Sequence, residues 1–463
     1  MSYFSGVQSA SSTDEAQALE KALSAGYGTD SATYINGRAM IQEDLEASAV
    51  NVVAQLKEDC KVFNSLKTTP CKSTVHEFNR RTDHGNYRFL SVPEGGESAE
   101  TDQELERAFV EMKYLQTRRS VTKQMETVNT FEGALASEKL AGIETIIKGA
   151  EHQIFHGDSS VVPTEFDGFL SMFNKEDTKA AVQDLRGKTI GSVGETLFDD
   201  IAQMVFDRGG DLNKALFPSV LARDVKGLFT DRLRMMMNDT RASFAGLPDY
   251  DTAIGSNIRF SGANAGADKF YRVKGKVKAE GNPEKRPAPP TSVVAKASDV
   301  AGSSFETNDA GNYNYTVHAV NAFGISEGTP ISAPVAVAGG NGVTLTITPA
   351  STGKAATGFI ICRSKKDGTE VMEMTQIGKG TGATTTFVDT NKDLPGTASM
   401  IFLSEGRTSP IITFDQLLPV SSIPLFPTAS AETPFLVVMY GALQVSAPQF
   451  CGFVKNIAYN GGF

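Results

Sequence analysis

Apolar residues recur at spacings of three and four over residues 131–156. Leu140, Ile143, Ile147, Ala150 and Ile154 share one stripe, with Leu135 and Ile146 along a second edge. That period predicts a long amphipathic helix, ended by Gly157-Asp158 with Gly157 as the C′ glycine. Residues 191–208 repeat the pattern through Val193, Leu197, Ile201, Met204 and Val205 and stop at Gly209-Gly210. Ala215-Leu216-Phe217-Pro218 then reads as a short strand. Ser219 reads as the cap of a third helix carrying Val220, Val225, Leu228, Phe229 and Leu233. Residues 42–62, with Leu45, Val52, Val53 and Leu56, are also helix-like. Residues 1–30 read as an extended arm with at most a short helix at 14–24.

Elsewhere the period is two. Thr74-Val75-His76-Glu77-Phe78 and Tyr87-Arg88-Phe89-Leu90 alternate around a turn at Asp83-His84-Gly85-Asn86. At about Gly281 the character changes: a Pro-rich charged linker precedes short strands at 313–321, 342–348, 356–363, 371–377 and 384–389. Such spacing with Gly, Asn and Asp turns is the pattern of an all-β sandwich. After Ser409 the strands become more apolar, and 435–439 and 442–453 read as buried sheet strands. Because the chain then returns to the main body, the β block reads as inserted rather than appended.

Charge narrows the partners. The 463 residues hold 44 Lys+Arg against 54 Asp+Glu, a formal net charge of -10. General nucleic-acid binders carry a basic face to neutralise phosphates, and this composition does not favour one. Four cysteines (Cys60, Cys71, Cys362, Cys451) lack paired metal or redox spacing and read as reduced thiols. No apolar run reaches the roughly 18 residues of a membrane span, and no secretory signal is evident. Locally, residues 94–106 hold six acids and no base, whereas 107–123 hold Arg107, Lys113, Arg118, Arg119 and Lys123 against Glu111 alone. A solvated loop with a mixed face is the commoner reading of such runs. The sharper one is a long two-stranded excursion that docks on another copy of the chain, acid against base. Its candidate contacts are Arg80, Arg81, Glu94, Glu97, Glu100, Asp102, Arg107, Arg118 and Arg119.

Catalytic motifs fail one after another. Gly187-Lys188-Thr189 resembles the end of a phosphate loop, but Val182 occupies the first glycine position. Gly378-Lys379-Gly380-Thr381-Gly382 reads as a glycine-rich turn. His152 and His156 share a helix face with no third ligand in view. Asp389, Asn391 and Asp393 copy the start of a calcium loop, but Leu394 and Met400 replace its glycine and glutamate. Neither an enzyme activity, a cofactor nor a metal is expected.

The order of elements resembles the major capsid proteins of tailed bacteriophages, the Hong Kong ninety-seven-type fold. Its most specific stretch is Glu151-His152-Gln153-Ile154-Phe155-His156-Gly157-Asp158, followed by Pro163-Thr164-Glu165-Phe166-Asp167-Gly168-Phe169. Ala215 to Ser219 and Ala447-Pro448 with Phe453 to Ile457 resemble the family's strand entering a helix and its closing strand. The resemblance implies an α+β fold with six parts: an arm (1–71), an extended loop (72–125), a peripheral domain with a spine helix (126–184), an axial domain (185–283), an insertion (284–404) and a completing segment (405–463). The insertion resembles an immunoglobulin or fibronectin type III sandwich, expected on the outer surface and dispensable for the shell.

The implied function is a self-assembling head shell of hexamers and pentamers around double-stranded DNA, in the virion after assembly in the host bacterial cytoplasm. Implied partners are a separate scaffolding protein and a portal, with a cement protein as a further candidate. An acidic chain suits a container that does not grip its genome. An encapsulin-like nanocompartment shell and a carbohydrate-binding adhesion protein are the alternatives.

Overall fold

The computed structural model describes residues 60–83, 85, 91–97, 100, 102–127, 133–175, 180–229, 235–238, 241–244, 249–260, 265–406, 410–427 and 431–459. The expected arm, the helix at 14–24, most of the helix at 42–62 and the strand at 87–90 lie outside them. Two compact units divide the chain.

One unit is built mainly of residues 114–150 and 418–441. Here strand Lys113–Thr122 lies beside strand Glu432–Val445, which also neighbours strand Ile412–Pro424. Phe435–Met439 is thus the middle of a single 14-residue strand that runs on through Val445. The expected strand at 442–453 instead breaks at Ser446, and a new one begins at Gly452. The helix Ala134–His156 contributes its first turns to this unit. Val121, Met125 and Ala134 form a small buried cluster there, backed by Leu135. Tyr114 meets Tyr440 edge-on, with ring centroids 4.8 Å apart.

The second unit holds residues 61–113, 151–417 and 442–463. Its centre is a five-stranded sheet in the order Gly266–Asp268, Lys214–Pro218, Ala398–Leu403, Gly452–Ile457, Ala181–Asp184. Helices Thr196–Phe206 and Ala222–Leu228 cover it. Leu197, Phe198, Ile201, Val205, Val225 and Phe229 pack there with Phe217, Met400, Phe402 and Val454. The helix–strand–helix order is as the periodicity predicts. The expected helix at 191–208 is two, Ile190–Val193 and Thr196–Phe206, separated at Gly194. Ser219 makes no side-chain cap; a 3-10 turn, Ser219–Leu221, leads into the helix instead.

A two-sheet sandwich follows. One sheet has the order Glu280–Gly281, Gly324–Pro330, Tyr315–Asn321, Gly358–Ser364, Val371–Gly378; the other has Ser292–Asp299, Asn341–Thr348, Thr385–Asp389. Alternate residues of both sheets meet in one core: Val317, Ala319, Phe359 and Ile361 against Val293, Val343, Leu345 and Ile347. Inside it Arg363, 2% exposed, donates to Asp389 and Asn391, both at 2.6 Å, and its guanidinium lies over Phe305 and Tyr313. Asp389 and Asn391 are therefore committed to an arginine rather than to a calcium loop.

The boundaries differ from the expected 284 and 404. The sandwich begins at Glu280, whose strand pairs with Gly324–Pro330. Ala398–Leu403 does not belong to it: that strand lies between Lys214–Pro218 and Gly452–Ile457 in the central sheet. Removing residues 284–404 would delete a middle strand of that sheet. Nor is the sandwich loosely tethered. Val161 and Val162, in the loop after the long helix, are buried with Val320, Ile360 and Cys362 of the sandwich.

That loop explains its glycines. Gly157 does not adopt the left-handed backbone conformation of a C′ glycine. Close approach is what requires it. A Cβ on Gly157 would lie 2.3 Å from the Phe166 carbonyl oxygen, and one on Gly168 would lie 2.4 Å from that of Gln153. The Gly168 N–H donates to the Gly157 carbonyl at 2.9 Å, closing the loop. Asp167 accepts the Ser159 N–H at 2.8 Å and pairs with Lys175 at 3.0 Å.

Candidate assembly surface

Strands Val75–Asp83 and Glu104–Glu111 pair antiparallel as a hairpin, in register Val75↔Glu111, Glu77↔Phe109, Asn79↔Arg107 and Arg81↔Leu105. Side chains alternate between the two faces of a strand, so these eight share one face, and His76, Phe78, Arg80, Glu106, Ala108 and Val110 share the other.

The second face is tied down within its unit. Arg80 donates from Nη2 to the Val445 carbonyl at 3.0 Å and lies over the Phe78 ring, 5.2 Å from its centroid. Burial lowers the Arg80 pKa, partly offset by Glu106 across the strand pair. His76 stacks on Phe78 and reaches Asp415 at 3.9 Å.

The first face is open. Leu105 is 56% exposed, Phe109 65% and Val75 38%. Scattered single apolar residues are ordinary on a surface, whereas three on one hairpin face form a row of the kind that marks a contact surface. Arg107 pairs with Glu77 across this face, and Arg81 at its far end is exposed. The spacing of Leu105 and Phe109 within a charged strand is the sequence signal for this row, and the charge runs around it mask that signal.

The expected charge division holds on one side only. Glu94, Glu97, Glu100 and Asp102 are all exposed in the segment joining the strands. The basic half is largely neutralised inside the chain. Lys113 pairs with Glu111 at 3.0 Å, Arg118 with Glu432 at 3.6 Å, Arg119 with Glu138 at 2.8 Å and Lys123 with Glu126 at 2.8 Å. Arg118 and Arg119 stand on strand Lys113–Thr122, not on the hairpin, and Arg119 also donates to Thr145 Oγ1 at 2.8 Å. Structure thus gathers Arg80, Arg81 and Arg107 on the hairpin and separates Arg118 and Arg119 from it.

His152 and His156 do share a helix face, with centroids 5.1 Å apart. His156 Nε2 is already occupied, accepting the Arg272 N–H at 3.0 Å. No helix among the described residues is long and apolar enough to cross a membrane.

Scanned against models of known families, the chain matches none. Whole-chain comparison is informative. A protein of Enterococcus phage phiEF24C, provisionally named major capsid protein, is 24% identical over 463 residues, covering 95% of this chain and 94% of its own. The major capsid protein of Staphylococcus phage K is 24% identical over 466 residues with the same coverage. Among solved structures, the chain is similar to one from the holo-SrpI encapsulin complex of Synechococcus elongatus PCC 7942, at 9% identity and TM-score 0.43, covering 89% of this chain and 96% of that one. It is also similar to the capsid of a native GTA particle, at 10% identity and TM-score 0.41, covering 93% and 99%. Along 95% of its length the chain is thus similar to phage major capsid proteins, 94% of whose own length is covered.

Proposed function

We propose that the chain is the repeating subunit of a tailed-phage head, closing through hexamers and pentamers into a shell around double-stranded DNA. The carrying observation is the end-to-end match to phage major capsid proteins, with 94% of their length also covered. A structural role agrees with the failure of every catalytic motif in the sequence.

In this reading the hairpin is the arm that reaches a neighbouring copy. The face bearing Val75, Leu105 and Phe109 lies on that copy, and the acidic segment around Glu94, Glu97, Glu100 and Asp102 meets basic residues there. Exposed ion pairs contribute only about 0–1 kcal/mol each, so the charges set register and the apolar row supplies adhesion. The sandwich is an immunoglobulin-like module on the outer surface. A scaffolding protein, a portal and a cement protein are the assembly partners, and the product is the virion capsid, formed in the host cytoplasm. The net charge of -10 suits a wall that holds DNA without sequence-specific grip.

Negative-stain electron microscopy of the chain, expressed with and without its neighbouring phage genes, tests this. Closed shells, capsomers or tubes are expected. Monomers under every condition would overturn it.

A further inference from the structure

The root of the hairpin holds three side chains of metal-ligand type. Strand Lys67–Pro70 runs parallel to the start of strand Ile412–Pro424, with Thr69 opposite Asp415 and Pro70 opposite Gln416. The Cys71 N–H extends that ladder to the Gln416 carbonyl at 2.8 Å, which fixes the Cys71 backbone beside Asp415. Five residues later His76 enters the hairpin on its anchored face. The Cys71 Sγ, a His76 ring nitrogen and an Asp415 carboxylate oxygen all lie within 4.8 Å of one another.

We propose that Cys71, His76 and Asp415 bind a divalent zinc-like cation that clamps the hairpin root to the strand carrying Asp415.

Three observations carry it. The donor set is the first: thiolate, imidazole and carboxylate together suit zinc, whereas magnesium and calcium take oxygen ligands. Distance is the second. Ligands about 2.0–2.3 Å from a tetrahedral ion stand roughly 3.3–3.8 Å apart, and His76 Nε2 already lies 3.9 Å from Asp415 Oδ2. Small rotations of Cys71 and His76 close the rest.

Orientation is the third. The Asp415 side chain is fully buried, and the Thr413 hydroxyl donates to its Oδ1 at 3.3 Å. Gln444, with its amide nitrogen facing Asp415, donates to Oδ2 at 2.6 Å and accepts from Ser446 Oγ at 3.2 Å. Such outer partners hold a ligating carboxylate in place. A buried carboxylate beside a thiol is also costly without a cation, and a divalent ion neutralises one carboxylate and one thiolate together. His76 keeps about a third of its surface exposed, leaving a fourth position for water. Binding releases the thiol proton. Sequence spacing does not show this site, because its third member lies more than 300 positions away on another strand.

The clamp's structural role rests on the hairpin's role as an assembly arm; the metal site does not. The full chain should be purified without chelator and its zinc measured by mass spectrometry, with cobalt(II) substitution followed by visible spectroscopy. The expected results are about one zinc per chain, a thiolate-to-cobalt charge-transfer band, and loss of both in Cys71→Ser and His76→Ala. Cys362→Ser, at a buried cysteine of the sandwich, should retain them. Should a variant fail to fold, zinc titration into the metal-stripped wild-type chain replaces it, with a rise in unfolding temperature expected. Zinc at background level with no charge-transfer band overturns the proposal, as does retention unaffected by both ligand substitutions. A zinc-loaded chain that never assembles would leave the site standing and sink the shell reading instead.

Discussion

Glu151 of the long helix accepts the backbone N–H of Phe63 at 2.6 Å, with that of Val62 at 2.9 Å on its other oxygen. Those N–H groups open the short helix Lys61–Ser65, and helix-opening N–H groups have no partner within their own helix. Glu151 is fully buried, and its neighbour Asp268 is only 3% exposed. A carboxyl from the long helix Ala134–His156 therefore caps the segment that leads into strand Lys67–Pro70 and the hairpin.

Glu151→Ala should strand both N–H groups. Leaving a buried donor unmade costs about 1–3 kcal/mol. A lower midpoint in denaturant melts is expected, together with faster hydrogen exchange at Val62 and Phe63. Unchanged exchange there would show that the cap contributes nothing.

Burial pushes Glu151 up to about 7 from an ordinary 4.5, and Asp268 is raised for the same reason. A carboxyl raised on folding favours the folded state below its unfolded value, and this contribution is lost as pH rises through the folded one. His156 runs oppositely: burial lowers it to about 3, so its contribution is lost as pH falls below 6.5. Comparing wild type with Glu151→Gln isolates the carboxyl. The variant should gain on the wild type from pH 4.5 to 7, by at most about 1.4 kcal/mol per pH unit. A difference in unfolding free energy that is flat with pH would show that Glu151 does not titrate in this window.

The loop from Gly157 to Gly168 has no space for a methyl group on either glycine. Gly157→Ala and Gly168→Ala should each lower stability by more than the roughly 1 kcal/mol typical of helix-interior Gly exchanges, because a carbonyl must move. Soluble yield and thermal midpoint are the readouts, with Gly191→Ala, where a Cβ meets nothing within 4 Å, as control.

A Gly-Ser linker replacing residues 284–404 removes strand Ala398–Leu403 from the central sheet and should give insoluble protein. Replacing 283–391 instead keeps that strand and the Leu394 N–H bond to Asn456 Oδ1 at 2.9 Å. That shorter deletion should stay soluble but lose stability, since Val161 and Val162 become exposed. Equal solubility of the two variants would refute the placement of the boundary.

Leu105→Asp with Phe109→Asp should leave the unfolding free energy within about 0.5 kcal/mol of wild type, both side chains being exposed. Assembly, followed by sedimentation velocity, should be lost. Shells from the double variant would remove the hairpin face from the assembly surface.

Periodicity by itself determined the long helix, the helix–strand–helix order and five of the eight strands in the two sandwich sheets; Glu280–Gly281, Ser292–Asp299 and Gly324–Pro330 it did not single out. These depend on local alternation between apolar and polar positions: the expected strand at 342–348 is Asn341–Thr348, and that at 384–389 is Thr385–Asp389. Pairing partners are another matter, because a strand's period is the same whichever sheet it joins. Only tertiary structure could assign Ala398–Leu403 to the central sheet, or hold Arg119 against Glu138 rather than on the hairpin. Runs of charge were legible, but their neutralisation was not, since an ion pair depends on distance in space. For the same reason Cys71, His76 and Asp415 are three unrelated residues along the chain, and a parallel strand pair and a hairpin register bring them to one place.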